Sequence, residues 1–246
     1  MSSLIETNLK VPSIPLYKLK EVRDFSETEG RRIFIELTED EIYPSSHEDD
    51  MGETDFHYEL TSYLRNALKL FFQERKDVFV AANMNLYYQE NNPYKWLAPD
   101  VMVVFGVDNH PRRTFKLWQE QIFPQVLFEV ASDSTYQNDI SEKAALYEQL
   151  GVEEYYVIDS ENFLTNSIMA FRRQNDALRL LSLSENRIFS PRLGLEIAHS
   201  NQEVRLFNPI RQEFLPNLAE AAAKSEAAQI EIEDLKAELA KLKGEN

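Results

Sequence analysis

The segment spanning residues 125–159 constrains this chain more than any other. It opens with a short apolar run, Gln125-Val126-Leu127-Phe128-Glu129-Val130, and ends with Glu154-Tyr155-Tyr156-Val157-Ile158-Asp159. Runs of this length and β-forming composition read as strands buried on both faces. Between them lies a punctuated helix. Asp139 is placed to cap it and Glu142 follows three residues later, a capping-box arrangement. Ala144, Ala145, Leu146 and Leu150 favour helix, and Gly151 supplies the stop. Strand, helix and strand in this order form a crossover unit, whose two strands pair in parallel. A chain organised around such a unit is expected to be α/β.

Glu129 stands inside the first apolar run, where a carboxylate is costly to bury without a partner. A second carboxylate, Asp100, stands at the mouth of Val101-Met102-Val103-Val104-Phe105, a predicted strand bounded by Pro99 and Gly106. Lys143 comes from the helix of the crossover unit. Two carboxylates and a lysine are suited to metal-assisted phosphodiester hydrolysis. A divalent cation neutralises phosphodiester charge and lowers the pKa of a bound water. Mg²⁺ is usually held by one or two carboxylates, waters and substrate oxygens. A nearby ammonium can orient the attacking water or stabilise charge developing on phosphorus. The expected ligands of Mg²⁺ or Mn²⁺ are therefore Asp100, Glu129 and the backbone carbonyl of Val130, with Lys143 beside them.

Each residue has a plainer reading. Asp100 can satisfy backbone amides at a strand start, and Glu129 with Lys143 can form a structural salt bridge. Asp139 reads as a helix cap rather than a ligand. Ser132 and Ser134 have no triad partner in view and are expected to shape their loop. Tyr147, one helical turn after Lys143, either lines the site or packs beneath it.

Other chemistries are excluded. The chain has 246 residues and no cysteine, which rules out disulfides and thiolate metal sites. Four scattered histidines give no zinc spacing, and six glycines leave little room for a phosphate-cradling loop. No apolar stretch approaches the roughly 20 residues of a membrane span. The N-terminus lacks a signal-peptide apolar region, so a cytoplasmic protein is expected. Net charge is -16, which argues against a generic polyanion binder. Residues 27–59 account for -10 and residues 218–246 for -3, leaving -3 for the remainder. A nucleic-acid surface is expected on that remainder or through divalent cations. Arg112-Arg113 and Arg172-Arg173 could touch phosphates, although such pairs are commonly solvated faces.

Three regions follow from the pattern. Residues 1–27 read as an arm, residues 28–215 as the folded domain, and residues 216–246 as a helical tail. Within the domain, Arg31–Leu37 and Glu41–Pro44 read as a hairpin. Apolar residues at helical spacing predict a helix from Thr54 to Arg75, capped by Thr54 or Asp55. Val78–Tyr88 reads as one strand, residues 108–124 as a connection with a short helix around Trp118, and residues 163–215 as further strands. Turns are expected at Gln174-Asn175-Asp176 and Ser184-Glu185-Asn186. In the tail, Leu218, Ala221, Ser225, Ala228, Ile232, Leu235, Leu239 and Leu242 alternate three and four apart, a heptad seam. A self-associating coiled coil is the first reading, giving a homodimer or higher homo-oligomer. The other is an amphipathic helix packed on its own domain, or frayed.

The blocks APDVMVVFG and VLFEVASDSTYQNDISEKAALYEQLGVEEYYVID resemble the Uma-two family of endonucleases, within the PD-(D/E)xK restriction-endonuclease-like superfamily. The resemblance spans about residues 30–195. Its specific part joins Glu129-Val130, Ser132, Ser134-Thr135, Asp139, Lys143, Tyr147, Gly151-Val152, Glu154-Tyr155 and Asp159 at matching spacing. It implies a restriction-endonuclease-like mixed β-sheet core flanked by helices, with Asp100 and Glu129 as metal-binding acids. The superfamily's commonest pattern places a lysine two residues after the second acid, where this chain has Ala131. The resemblance moves that role to Lys143 on the following helix. His57 matches a family position on the first helix, and Glu59 beside it is a candidate extra acid. The expected function is metal-dependent cleavage of nucleic acid, DNA before RNA. The alternative is a catalytically weak or inactive nuclease-fold protein serving as a coiled-coil binding or assembly module.

Overall fold

The computed structural model describes residues 17–22, 31–36, 38–43, 54–132, 135–159, 161, 167–183, 186–200 and 203–244. Strand β1 (Tyr17–Val22) pairs antiparallel with β2 (Arg31–Glu36), and the short helix α1 (Glu39–Ile42) follows. The expected hairpin is therefore built differently. The partner of Arg31–Glu36 comes from the segment read as an arm, and residues 39–42 coil instead of returning as a strand. Residues 1–16 of that arm lie outside the described residues.

Helix α2 (Asp55–Phe71) starts as expected, with the Thr54 hydroxyl accepting from the His57 backbone N–H. The segment read as a single strand over residues 78–88 splits into β3 (Val78–Ala82) and β4 (Leu86–Tyr87). Asn83 takes a positive φ of 48° between them, and its N–H turns to the Pro99 carbonyl. β5 (Trp96–Leu97), β6 (Val101–Phe105), β7 (Phe115–Lys116) and the short helix α3 (Leu117–Glu120) come next. The crossover unit consists of β8 (Val126–Ala131), α4 (Tyr136–Asn138), a π-helical turn at Asp139–Lys143, α5 (Ala144–Leu150) and β9 (Glu154–Asp159). Gly151 closes α5 at φ 89°, a left-handed position that glycine adopts without a Cβ clash.

β8 and β9 pair in parallel, with Glu129 opposite Val157. They form the centre of a six-stranded mixed sheet ordered β11-β10-β9-β8-β6-β3, in which β10 (Ile168–Gln174) and β11 (Ala177–Leu180) make one edge. The other pairings in this sheet are antiparallel. Asn175 and Asp176 turn the β10–β11 hairpin with positive φ, where expected. The expected turn at residues 184–186 is described only at Asn186. A second sheet holds β12 (Arg187–Ser190), β13 (Leu195–Ser200), β14 (Glu203–Asn208) and β15 (Glu213–Phe214). The chain closes with α6 (Leu218–Gly244).

Strand alternation divides the core into two layers. Val101, Val103, Val126, Phe128, Tyr156 and Ile158 face α2 and the second sheet. Met102, Val104, Leu127, Ala131, Tyr155 and Val157 face the crossover helix through Tyr147. Period 2 puts Asp100 with Met102 and Glu129 with Leu127, so both acids belong to the face that the crossover helix covers. The expected α/β architecture, a mixed sheet flanked by helices, is what the chain adopts.

Candidate active site

Pairing between β6 and β8 ends at Val101 opposite Phe128. One residue further along, Asp100 and Glu129 face each other across the strand ends. Asp100 fills the unpaired position with its side chain, Oδ2 accepting the Val130 N–H at 2.6 Å. This is the backbone-satisfying role anticipated as its plainer reading. The N–H and C=O of one strand residue project to the same side, which makes the Val130 carbonyl a candidate oxygen ligand on the Asp100 side of β8. The other Asp100 oxygen, Oδ1, lies 3.0 Å from His57 Nε2 at the start of α2. His57 therefore joins the site from the opposite side of the sheet.

Glu129 is 2% exposed. Both its oxygens are engaged by the crossover helix: the Tyr147 hydroxyl donates to Oε1 at 2.6 Å and Lys143 Nζ to Oε2 at 3.0 Å. Tyr147 thus touches Glu129 directly, from within the core where it is itself 1% exposed. Burial, and then the negative charge of Asp100, push the Glu129 carboxyl up to about 8, against the opposing pull of Lys143. That repulsion is the mark of two carboxylates sharing one poorly solvated volume. Burial alone lowers an ammonium pKa, but at Lys143 the Glu129 and Asp139 carboxylates outweigh it and the net shift is upward. Burial and the neighbouring Glu129 charge likewise raise Tyr147.

Asp139 departs from its sequence reading. The helix begins earlier, after Thr135, and Ser132 and Thr135 exchange contacts there: Ser132 N–H to Thr135 Oγ1 at 3.1 Å and Thr135 N–H to Ser132 Oγ at 3.3 Å. Ser132 shapes the loop as expected, while Ser134 lies outside the described residues. Asp139 is consequently inside the helix, 1% exposed, and caps nothing. Its Oδ1 lies 2.8 Å from Lys143 Nζ, and the Tyr155 hydroxyl donates to its backbone carbonyl at 2.9 Å. The intervening residues form a π-helical turn, a local widening frequent at functional sites. Asp139 is the residue that sequence reasoning missed as part of the site. Its i, i+4 relation to Lys143 was visible, but the capping-box pattern explained it away.

Glu59 does not join the acids. It is exposed and borders a groove of about 630 Å³ between α2, β14 and the start of α6, with Phe56, Tyr63, Asp159 and Arg205. Three of the four arginines in the basic pairs make contacts within the domain. Arg112 pairs with Glu120 at 2.6 Å and stacks on Phe79. Arg172 faces Glu154 at 3.8 Å, and Arg173 donates to the carbonyls of Val152 and Asp176.

Among the described residues no three of His, Cys, Asp and Glu cluster in a metal-binding arrangement. A cage made wholly of side chains is therefore not what this site offers. The donors present are two carboxylates and one carbonyl, all oxygen, at the end of a sheet. That set fits a hard cation that keeps several waters.

A model of the Uma2 family, described as "Putative restriction endonuclease", matches residues 21–213. No curated protein matches the chain. Among solved structures, the chain is similar to a "putative nuclease belonging to DUF820" from Anabaena variabilis ATCC 29413, with 12% identity and a TM-score of 0.44, covering 58% of this chain and 76% of that one. A likeness that distant does not bear on the site. Among the described residues no helix is long and apolar enough to cross a membrane.

Proposed function

The chain belongs to the Uma2 family, and on that premise we propose that it is a metal-dependent endonuclease acting on nucleic acid, with DNA the first substrate to test. The observation that carries the reading is the pairing of buried Glu129 with Asp100 at one sheet end, with Lys143 3.0 Å from Glu129. Asp100 also serves the strand end by accepting the Val130 N–H, whereas Glu129 is met by the side chains of Tyr147 and Lys143 and is costly to bury.

Asp100, Glu129 and the Val130 carbonyl would hold Mg²⁺ or Mn²⁺. When bound, the ion supplies charge neutralisation for the phosphodiester and acidifies a water. The chain's own residues prepare the site. His57 and the Val130 N–H fix the Asp100 carboxylate, and Tyr147 fixes Glu129. Lys143 keeps its proton, because two carboxylates favour the ammonium, and so offers hydrogen-bond donors to a phosphoryl oxygen or to the attacking water. Asp139 Oδ1, 2.8 Å from Lys143 Nζ, restrains the same ammonium.

The test is cleavage of a panel of DNA and RNA substrates with Mg²⁺ or Mn²⁺, comparing wild type with Asp100→Ala and Lys143→Ala. Metal-dependent cleavage lost in both variants supports the reading. Absence of cleavage on every substrate, or cleavage indifferent to both changes, overturns it in favour of the alternative, an inactive nuclease-fold module.

A further inference from the structure

The most exposed element of the chain lies outside the site. α6 has 27 residues, which at 1.5 Å per residue is about 40 Å of helix. Among the described residues it is anchored to the domain near its start, by Arg205 to Glu220 at 2.6 Å and Lys224 to Glu213 at 3.6 Å. From residue 222 to residue 236 every position is exposed. The aliphatic half of the heptad seam shares in this: Ile232 is 44% exposed, Leu235 57% and Leu239 54%. Over residues 222–236 the helix buries no face against its own domain, as the second reading of its sequence would require. A strict three-four seam on so exposed a stretch matches the surface of a helix of the same kind.

The register says which kind. Ser225, Ile232 and Leu239 occupy a positions, and Ala228 and Leu235 occupy d positions. A β-branched residue at a with leucine at d favours two strands. The flanking positions carry charge: Glu231 falls at g and Lys236 at the next e. In a parallel pair g faces the following e of the other helix, so Glu231 meets the partner's Lys236, and the partner's Glu231 meets Lys236. In an antiparallel pair e faces e, and no e position of this helix carries an acid to meet Lys236. We propose that α6 is the interface of a parallel, in-register, two-stranded coiled coil between two copies of this chain. Both folded domains then lie at the same end of the coil. This inference goes beyond the nuclease reading and does not depend on it.

The experiment uses the full chain. Light scattering is expected to give twice the 28.7 kDa mass of one chain. Ile232→Glu, on the seam, gives a monomer at the same concentration, while Ile230→Glu, exposed and off the seam, stays dimeric. Both residues are exposed in the single chain, so the thermal transition of the folded domain is unmoved in both variants. The chain has no cysteine. Ser225→Cys, at an a position, therefore introduces a single thiol that faces its counterpart across a parallel, in-register seam and cross-links to a covalent dimer on mild oxidation. A monomeric wild type, a dimer that survives Ile232→Glu, or a dimer that Ser225→Cys fails to cross-link overturns the proposal.

Discussion

Lys143 Nζ lies 3.0 Å from Glu129 Oε2, although the two residues come from different elements of the crossover unit. The strand position where a lysine usually follows the second acid is occupied by Ala131. Ala131 shares the Glu129 face of β8, and its small side chain leaves room for the helix-borne ammonium. The same charge therefore reaches the same carboxylate from above the sheet rather than from along the strand. The helix is bound to the sheet through Tyr147 and Tyr155, whose rings meet edge to face at 5.0 Å, so the lysine sits on a fixed support.

On the proposed reading Lys143 would act on the phosphoryl group and not on the cation, so its removal separates the two. Lys143→Ala is expected to lower kcat about 10²- to 10³-fold, the loss typical of one preorganised donor, roughly 3–4 kcal/mol. Mn²⁺ affinity measured by calorimetry is expected to persist. Asp139→Asn keeps the shape but removes the charge that restrains the ammonium, and its loss should be smaller, about 10-fold. A Lys143→Ala variant that also loses the ion would show that the lysine organises the acids instead.

Glu129 contributes to the pH dependence of the metal-free protein's stability. Its folded pKa, about 8, is above the ordinary carboxylate value. Below the unfolded pKa of roughly 4.3 the group is neutral in both states and burial carries no charge penalty. As pH rises from there to about 8, the unfolded chain releases a proton that the folded chain retains, and stability falls. Above about 8 the decline from this group levels off. Glu129→Gln removes the penalty, so its melting temperature should decline less between pH 5 and pH 9 than that of wild type. Parallel curves would contradict the buried charge.

Cation binding should compete with the proton on Glu129. Metal ligands must be deprotonated, so Mn²⁺ affinity is expected to rise with pH toward about 8 and then flatten. Calorimetry in buffers of different ionisation enthalpy should show release of a proton per ion bound near pH 7. Glu129→Gln should abolish both the binding and the proton release. Binding without any pH dependence would place the ion elsewhere.

His57 and Glu59 stand two residues apart on α2 and should behave differently. His57 Nε2 orients Asp100 from 3.0 Å, and partners of that kind typically contribute 10- to 100-fold to metal affinity. His57→Ala is expected to weaken Mn²⁺ binding by about 10-fold. Glu59 faces the groove beside Tyr63 and Arg205, so Glu59→Ala should leave binding and cleavage unchanged.

The sequence by itself determined what depends on local periodicity. The crossover unit, the central strands Val101–Phe105 and Glu154–Asp159, and the placement of Asp100 and Glu129 follow from apolar runs and their punctuation. The common face of the two acids is then a matter of counting in twos along each strand. What required the tertiary structure depends on groups distant in the chain or on competing local signals. The Asp139 carboxylate could cap a helix or lie within one. The reciprocal contacts of Ser132 and Thr135 start the helix earlier and turn Asp139 inward to Lys143. The approach of His57 to Asp100 and the pairing of Arg31–Glu36 with Tyr17–Val22 are long-range choices. Such choices are decided by which faces pack together, and a pattern of spacing carries no record of them.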